Sequence, residues 1–148
     1  MRALGIDLGK KRIGVAVSDR SGTIATPLTV IRRGRSQRDD HAAIAAIVAE
    51  EEAETVVVGL PLNMDGTEGA SAKSARLEIE RMATVVGVPI VLHDERRTTV
   101  RADRVLMERN VGARDRRAEI DKVAAAFILQ SWLDSRAHST ERDTEDGR

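Results

Sequence analysis

The chain has no cysteine, which excludes disulfide frameworks, thiolate zinc sites and cysteine nucleophiles. Its three histidines are scattered, giving no basis for a histidine-rich zinc site. Phe127 and Trp132 are the only aromatic residues, too few for a platform on which bases stack, as single-strand binders and many RNA-binding sheets require. No apolar run approaches the roughly 20 residues that span a bilayer. The first residues also lack a charged and then apolar signal pattern, so a cytoplasmic protein with no membrane partner is expected. Net charge is lacking too, with 24 basic and 24 acidic residues, a balance that on its face argues against a nucleic-acid partner.

The distribution of charge points the other way. Between Arg96 and Arg117 eight arginines (96, 97, 101, 104, 109, 114, 116 and 117) stand against only Asp103, Glu108 and Asp115. A second cluster comprises Arg32, Arg33, Arg35 and Arg38, while acids gather at Glu50, Glu51, Glu52 and Glu54 and in the tail. Such asymmetry suits a protein that meets phosphates on one side. On charge alone, solvated helix faces laced with ion pairs account for it equally well.

Apolar periodicity gives the order of elements. Arg2 to Leu8 and Arg12 to Ser18 read as a hairpin turning at Gly9, Lys10 and Lys11, with Ile13, Val15 and Val17 on one face. Thr23 to Ile31 extends the meander, demoted to an edge strand by Pro27. A helix over Gln37 to Ala53 precedes Thr55 to Leu60, an apolar run suited to a central parallel strand. Ala70 to Val86 reads as a helix stopped by Gly87, and Val88 to Leu92 as a further strand. A helix capped by Thr98 or Thr99 runs to about Asn110, and a last one from about Arg117 to Ala137.

The expected fold is therefore α/β: a five-stranded mixed sheet, built from a three-strand antiparallel meander plus two parallel strands and flanked by helices, of ribonuclease H-like type. Residues 1–137 read as one domain. Residues 138–148, with no apolar residue after His138, read as a disordered polar tail.

Three acids stand out. Asp7 lies in an otherwise apolar strand, where an unpaired carboxylate costs several kcal/mol and calls for a cation or strong donors; an Asp capping the glycine turn is the plain alternative. Glu95 follows a strand expected to run parallel to the first. Both acids can then reach the crevice at the carboxyl ends of the strands, where open α/β sheets place ligands. Asp121 shares a helix face with Ala124, Ala125 and Ile128, so it too should lie against the sheet; by itself it could equally be a helix-dipole residue. Ala124, Ala125 and Ala126 would let that helix come close. The polar loop from Asn63 to Gly69 could approach a phosphate backbone or lend Asp65 or Glu68 to the acids, or it could be a connection built on Asn and Asp turns.

Four runs carry a resemblance: Asp7-Leu-Gly-Lys-Lys-Arg12-Ile-Gly-Val-Ala-Val-Ser18-Asp19, Val58-Gly-Leu-Pro-Leu-Asn63-Met-Asp65-Gly-Thr-Glu68-Gly69, Asp94-Glu95-Arg96-Arg-Thr98-Thr99 and Ile120-Asp121-Lys122-Val-Ala-Ala125. In order and spacing, over residues 1 to about 137, they resemble the YqgF (RuvX) family, described as Holliday junction resolvases and as nucleases that mature the 5′ end of pre-16S ribosomal RNA. Arg97 stands where that family often has a hydrophobic residue.

The resemblance implies a metal-dependent endonuclease with Asp7, Glu95 and Asp121 as catalytic acids and metal ligands. Hard oxygen donors suit Mg²⁺ or Mn²⁺, in a two-metal arrangement. Lys11, Arg12, Asn63, Arg96 and Thr98 would hold the substrate backbone. Structured RNA is the favoured partner, branched DNA the alternative, and the chain would act as a monomer or homodimer. Two other classes compete. A sugar-kinase or actin-like ATPase begins with a similar hairpin but needs a second domain and a second hairpin, and a non-catalytic nucleic-acid binder would not need all three acids.

Overall fold

Alternation of apolar residues over two short runs builds the first hairpin, β1 (Ala3–Leu8) and β2 (Arg12–Ser18), in which Asp7 pairs with Gly14 and Ile6 with Val15. A computed structural model describes the backbone of residues 1–95 and 113–146 and the side chains of 1–95 and 119–137. The meander continues into β3 (Ala25–Arg32), antiparallel to β2. Pro27 sits there without cost, because an edge strand has one side with no ladder to join. β4 (Thr55–Leu60) and β5 (Ile90–Asp94) add on parallel, giving the order β3-β2-β1-β4-β5. This is the mixed sheet expected from the sequence.

Strand starts differ from the expected ones for local reasons. Asp19 Oδ1 accepts the N–H groups of Thr23 at 2.8 Å and Ile24 at 3.1 Å, so residues 19–24 form a closed turn and β3 begins only at Ala25. Pro89 has no N–H to give the ladder, and β5 begins at the next residue. The first helix, α1 (Gln37–Glu50), is capped by Ser36, whose hydroxyl accepts from Asp39 N. It stops three residues short of the expected end. Ala53 N donates to Val48 O and Glu52 N to Ala49 O, a Schellman ending with Glu52 at φ 54° where glycine is usual.

The second helix, α2 (Ala70–Val86), ends as expected at Gly87, whose φ of 79° is the left-handed stop. The last, α3 (Ala113–Asp146), exceeds the expected span at both ends and continues as helix over 138–146, where a disordered tail was expected. The expected helix from Thr98 to Asn110 lies outside the described residues.

Strand parity divides the core in two. Leu4, Ile6, Ile13, Val15, Val56 and Val58 face α1 and α2, meeting Ile44, Val48, Ile79 and Met82. The opposite face is made of small residues: Ala3 and Ala16, with Val57, meet Ala125, Ile128 and Leu129 of α3. A side chain at Gly5 would collide with the Ala125 carbonyl and Leu129 Cβ, each 2.7 Å from the place its Cβ would take. One at Gly14 would strike the backbone of Asp121. The glycines on the strands and the alanines on the helix thus let α3 lie nearly on the sheet, and bring Asp121 to the hairpin.

Candidate active site

Asp7 shares the α3 side of β1 with Ala3 and Gly5, one residue before the strand ends. Burial pushes its carboxyl up to about 6, and the negative charge of Asp121 adds to the rise. Glu95 follows β5, its N–H donating to Leu60 O at 3.2 Å. Its Oε2 lies against Gly59, at the position a Cβ there would claim. Burial pushes Glu95 up to about 7, with the charges of Asp7 and Asp94 contributing. The two carboxyls therefore feel each other across the ends of β1 and β5, and Asp7 feels Asp121. A half-buried pair of mutually repelling acids is short of positive charge, the condition that a hard divalent cation relieves.

Asp121 is differently placed. Its Oδ2 accepts from Arg12 Nε at 2.6 Å, in a pair whose side chains are 19% and 30% exposed. Arg12, expected to hold substrate, is thus engaged by an acid of the same site. Among the described residues no three acids or histidines are set closely enough to form a ready-made ion site. The structure brings together Asp7, Glu95 and Asp121 as an electrostatic group and gives the third of them to Arg12.

Lys11 is exposed beside this group, its backbone carbonyl accepting from Arg33 N. The Asn63 loop closes on itself: Asn63 Nδ2 donates to Thr67 Oγ1 at 3.0 Å, Asp65 Oδ1 accepts from Thr67 N and Oγ1, and Glu68 is paired with Arg76. The loop's acids have partners of their own, as the turn interpretation of this segment requires. Arg96 and Thr98, and most of the arginine-rich stretch beginning at Arg96, lie outside the described residues.

A second charged cluster was not anticipated. Arg33 donates to both oxygens of Glu78 at 2.7 and 2.9 Å, to Asp40 Oδ2 at 3.2 Å and to the Gly9 carbonyl at 2.8 Å. His41 Nε2 meets Glu78 Oε2 at 2.8 Å. Burial pushes Glu78 up, but hydrogen bonds from Arg33 and His41 outweigh it and hold the carboxyl below its ordinary value. The signal was present. Glu78 occurs at helical spacing with Ala75, Ile79 and Met82, and Asp40 and His41 with Ile44, as Asp121 does with Ala125. Through Arg33 this cluster fixes the turn that follows Asp7.

The RuvX family, described as Holliday junction resolvase, matches over residues 1–135. A protein of Anaeromyxobacter sp. (strain Fw109-5) named "Putative pre-16S rRNA nuclease" is 52% identical over 136 residues, covering 92% of this chain and 98% of the relative. One of the same name from Myxococcus xanthus (strain DK1622) is 50% identical over 135 residues, covering 91% and 89%. Among solved structures, RuvC of T. thermophilus in complex with a Holliday junction substrate superposes with a TM-score of 0.59 at 19% identity, covering 93% of this chain and 96% of that one. That likeness establishes a shared ribonuclease H-like fold. With a family match along nine-tenths of its length and relatives half identical to it, the chain belongs to the RuvX family of nucleases.

Proposed function

We propose that this protein is a divalent-metal-dependent endonuclease that trims the 5′ end of pre-16S ribosomal RNA, with Asp7, Glu95 and Asp121 as its catalytic acids. The observation that carries the reading is the pair Asp7 and Glu95, half-buried at the ends of β1 and β5, which flank β4, and both pushed up toward neutrality by desolvation and by acidic neighbours. The names of the half-identical relatives supply the RNA. The donor set is all carboxylate oxygen, which fits Mg²⁺ or Mn²⁺ and not a soft metal. When bound, such ions would activate water and stabilise the leaving oxygen.

The chain's own residues do the rest. Asp7 is fixed by the hairpin register and by the Arg33-bound turn after it. Arg12 holds Oδ2 of Asp121. Lys11, Asn63, Arg96 and Thr98 contact the substrate backbone, setting its position and not its sequence. No helix of the described residues is long and apolar enough to cross a membrane, and we place the activity in the cytoplasm, where ribosomal RNA is processed.

The family description favours a second substrate, a four-way DNA junction. One comparison decides between them: incubate the purified protein with a pre-ribosomal 5′-leader RNA and with a four-way DNA junction, each with Mg²⁺, with Mn²⁺ and with chelator. The proposal expects metal-dependent cleavage of the RNA. Paired cuts in the junction by a dimer, with the RNA intact, would replace it by the resolvase reading.

A further inference from the structure

A groove of about 780 Å³ opens on the other side of the same strand ends, between the Gly9–Lys10 turn, the loop 34–37 and the start of α2, with Glu95 at its border. It is continuous with the acid site through Glu95, yet among the described residues none of the assigned substrate contacts (Lys11, Arg12 and Asn63) lines it. Its floor carries the acids Asp40 and Glu78, but all four of their carboxylate oxygens already accept hydrogen bonds: Asp40 from Gly34 N and Arg33, Glu78 from Arg33 and His41. Its rim carries Lys10 and Arg35, both exposed and with no carboxylate partner among the described residues. Ser36, Gln37, Ser71 and Ser74 add hydroxyls and an amide, beside the apolar Leu8, Pro61, Ala70 and Ala75.

We propose that this groove is a second binding site, taking a single-stranded ribose-phosphate chain as it leaves the acid site, with Lys10 and Arg35 on its phosphates. The inference rests on the nuclease reading above. Four features carry it. The volume lies in the range of about 300–1,000 Å³ that holds a small molecule, so it admits a nucleotide-sized stretch of one strand and not a duplex. With its acids saturated from within, the groove offers an incoming ligand two cations unpaired among the described residues and several neutral donors, which suits a phosphodiester chain. No aromatic residue lines it, so bases do not stack there and the contact is independent of sequence. Hydroxyl and amide groups at that rim can pair with 2′-hydroxyls, the group by which RNA differs from DNA. The sequence cluster Arg32, Arg33, Arg35 and Arg38 thereby divides in function: Arg33 braces the turn, and Arg35 faces the substrate.

The test measures binding in chelator, so that it does not depend on cleavage. Fluorescence anisotropy compares an RNA hairpin carrying a short oligo-U extension with the same hairpin left blunt, across a salt series, for wild type and for the double variant Lys10→Glu/Arg35→Glu. Both positions are exposed, so charge reversal should leave the fold intact. The extended hairpin should bind the variant about tenfold more weakly, with a log–log salt slope shallower by roughly 1.4, the value for two lost single-strand phosphate contacts. The blunt hairpin should not change. Equal loss on both hairpins, or loss on neither, overturns the proposal, and an oligo-dT extension bound as tightly as oligo-U overturns its assignment to ribose. A wild type that cleaves RNA but binds both hairpins alike loses the groove and keeps the nuclease. One that binds the extension but never cleaves with metal loses the nuclease and keeps the groove.

Discussion

Arg12 Nε donates to Asp121 Oδ2 at 2.6 Å, joining residues 109 positions apart in the chain and pinning the start of the buried part of α3 to the second strand. The pair has a cost for metal binding. A cation already sits on one oxygen of the third acid and lowers the negative potential that draws a metal ion.

Replacing Arg12 should therefore separate stability from metal affinity. The pair is partly exposed, so Arg12→Ala should lose no more than about 1 kcal/mol of folding stability in chelator. Mn²⁺ titrated into the variant without nucleic acid should bind several-fold more tightly than to wild type, as calorimetry would read. Weaker Mn²⁺ binding would show that Arg12 assembles the site instead of competing for it.

The acids also predict how stability follows pH. Asp7 and Glu95 ordinarily titrate near 3.8 and 4.5 and here at about 6 and about 7. The folded state thus binds the extra protons. The stability they contribute is full below the ordinary values and is lost as pH rises through 6 to 7. In chelator, urea denaturation should find the protein a few kcal/mol more stable near pH 4–5 than at pH 8, as far as these two groups decide it. Asp7→Asn should be more stable than wild type at pH 8 and lose that advantage near pH 4. A variant less stable at pH 8 would mean that Asp7 is compensated without metal.

Close approach of α3 makes Gly14 sensitive to a single methyl. In Gly14→Ala the new Cβ would run into the Asp121 backbone, which a rigid helix cannot yield. Destabilisation of about 3 kcal/mol is expected in denaturant melts, with activity falling as Asp121 is displaced. Gly34→Ala is the control. Its nearest neighbour would be Asp40 Oδ1 at 3.7 Å, an ordinary contact.

The Arg33 cluster should behave as a buried ion pair. Glu78 is 6% exposed, and Glu78→Ala leaves the Arg33 charge without its two strongest acceptors. A loss of about 3–5 kcal/mol is expected. Thermal unfolding of the variant checks this, and a loss under about 1 kcal/mol would place the bracing of the Gly9 turn elsewhere.

Much of this was legible from period and breakers. The parity of β1 and β2, the parallel β4 and the helix from Ala70 to Val86 follow from alternation, from an apolar run and from Gly87. Asp7 and Asp121 were visible as acids on apolar faces. Glu78, Asp40 and His41 obey the same rule, but they pair with one another and with Arg33, so no sequence motif distinguishes them from solvated helix charges. The Arg12–Asp121 pair was not legible, because its partners are brought together by two strand glycines, Gly5 and Gly14, and a run of alanines seen from opposite sides of the interface. The strand starts at Ala25 and Ile90 were missed because side-chain turns at Asp19 and the missing N–H of Pro89 act one residue at a time.

Asp7 is the residue on which the catalytic account turns. Single-turnover cleavage of a pre-ribosomal 5′-leader RNA in Mg²⁺ should fall by at least about 100-fold in Asp7→Asn, with the fold and RNA binding retained. Cleavage by Asp7→Asn at the wild-type rate would contradict the account.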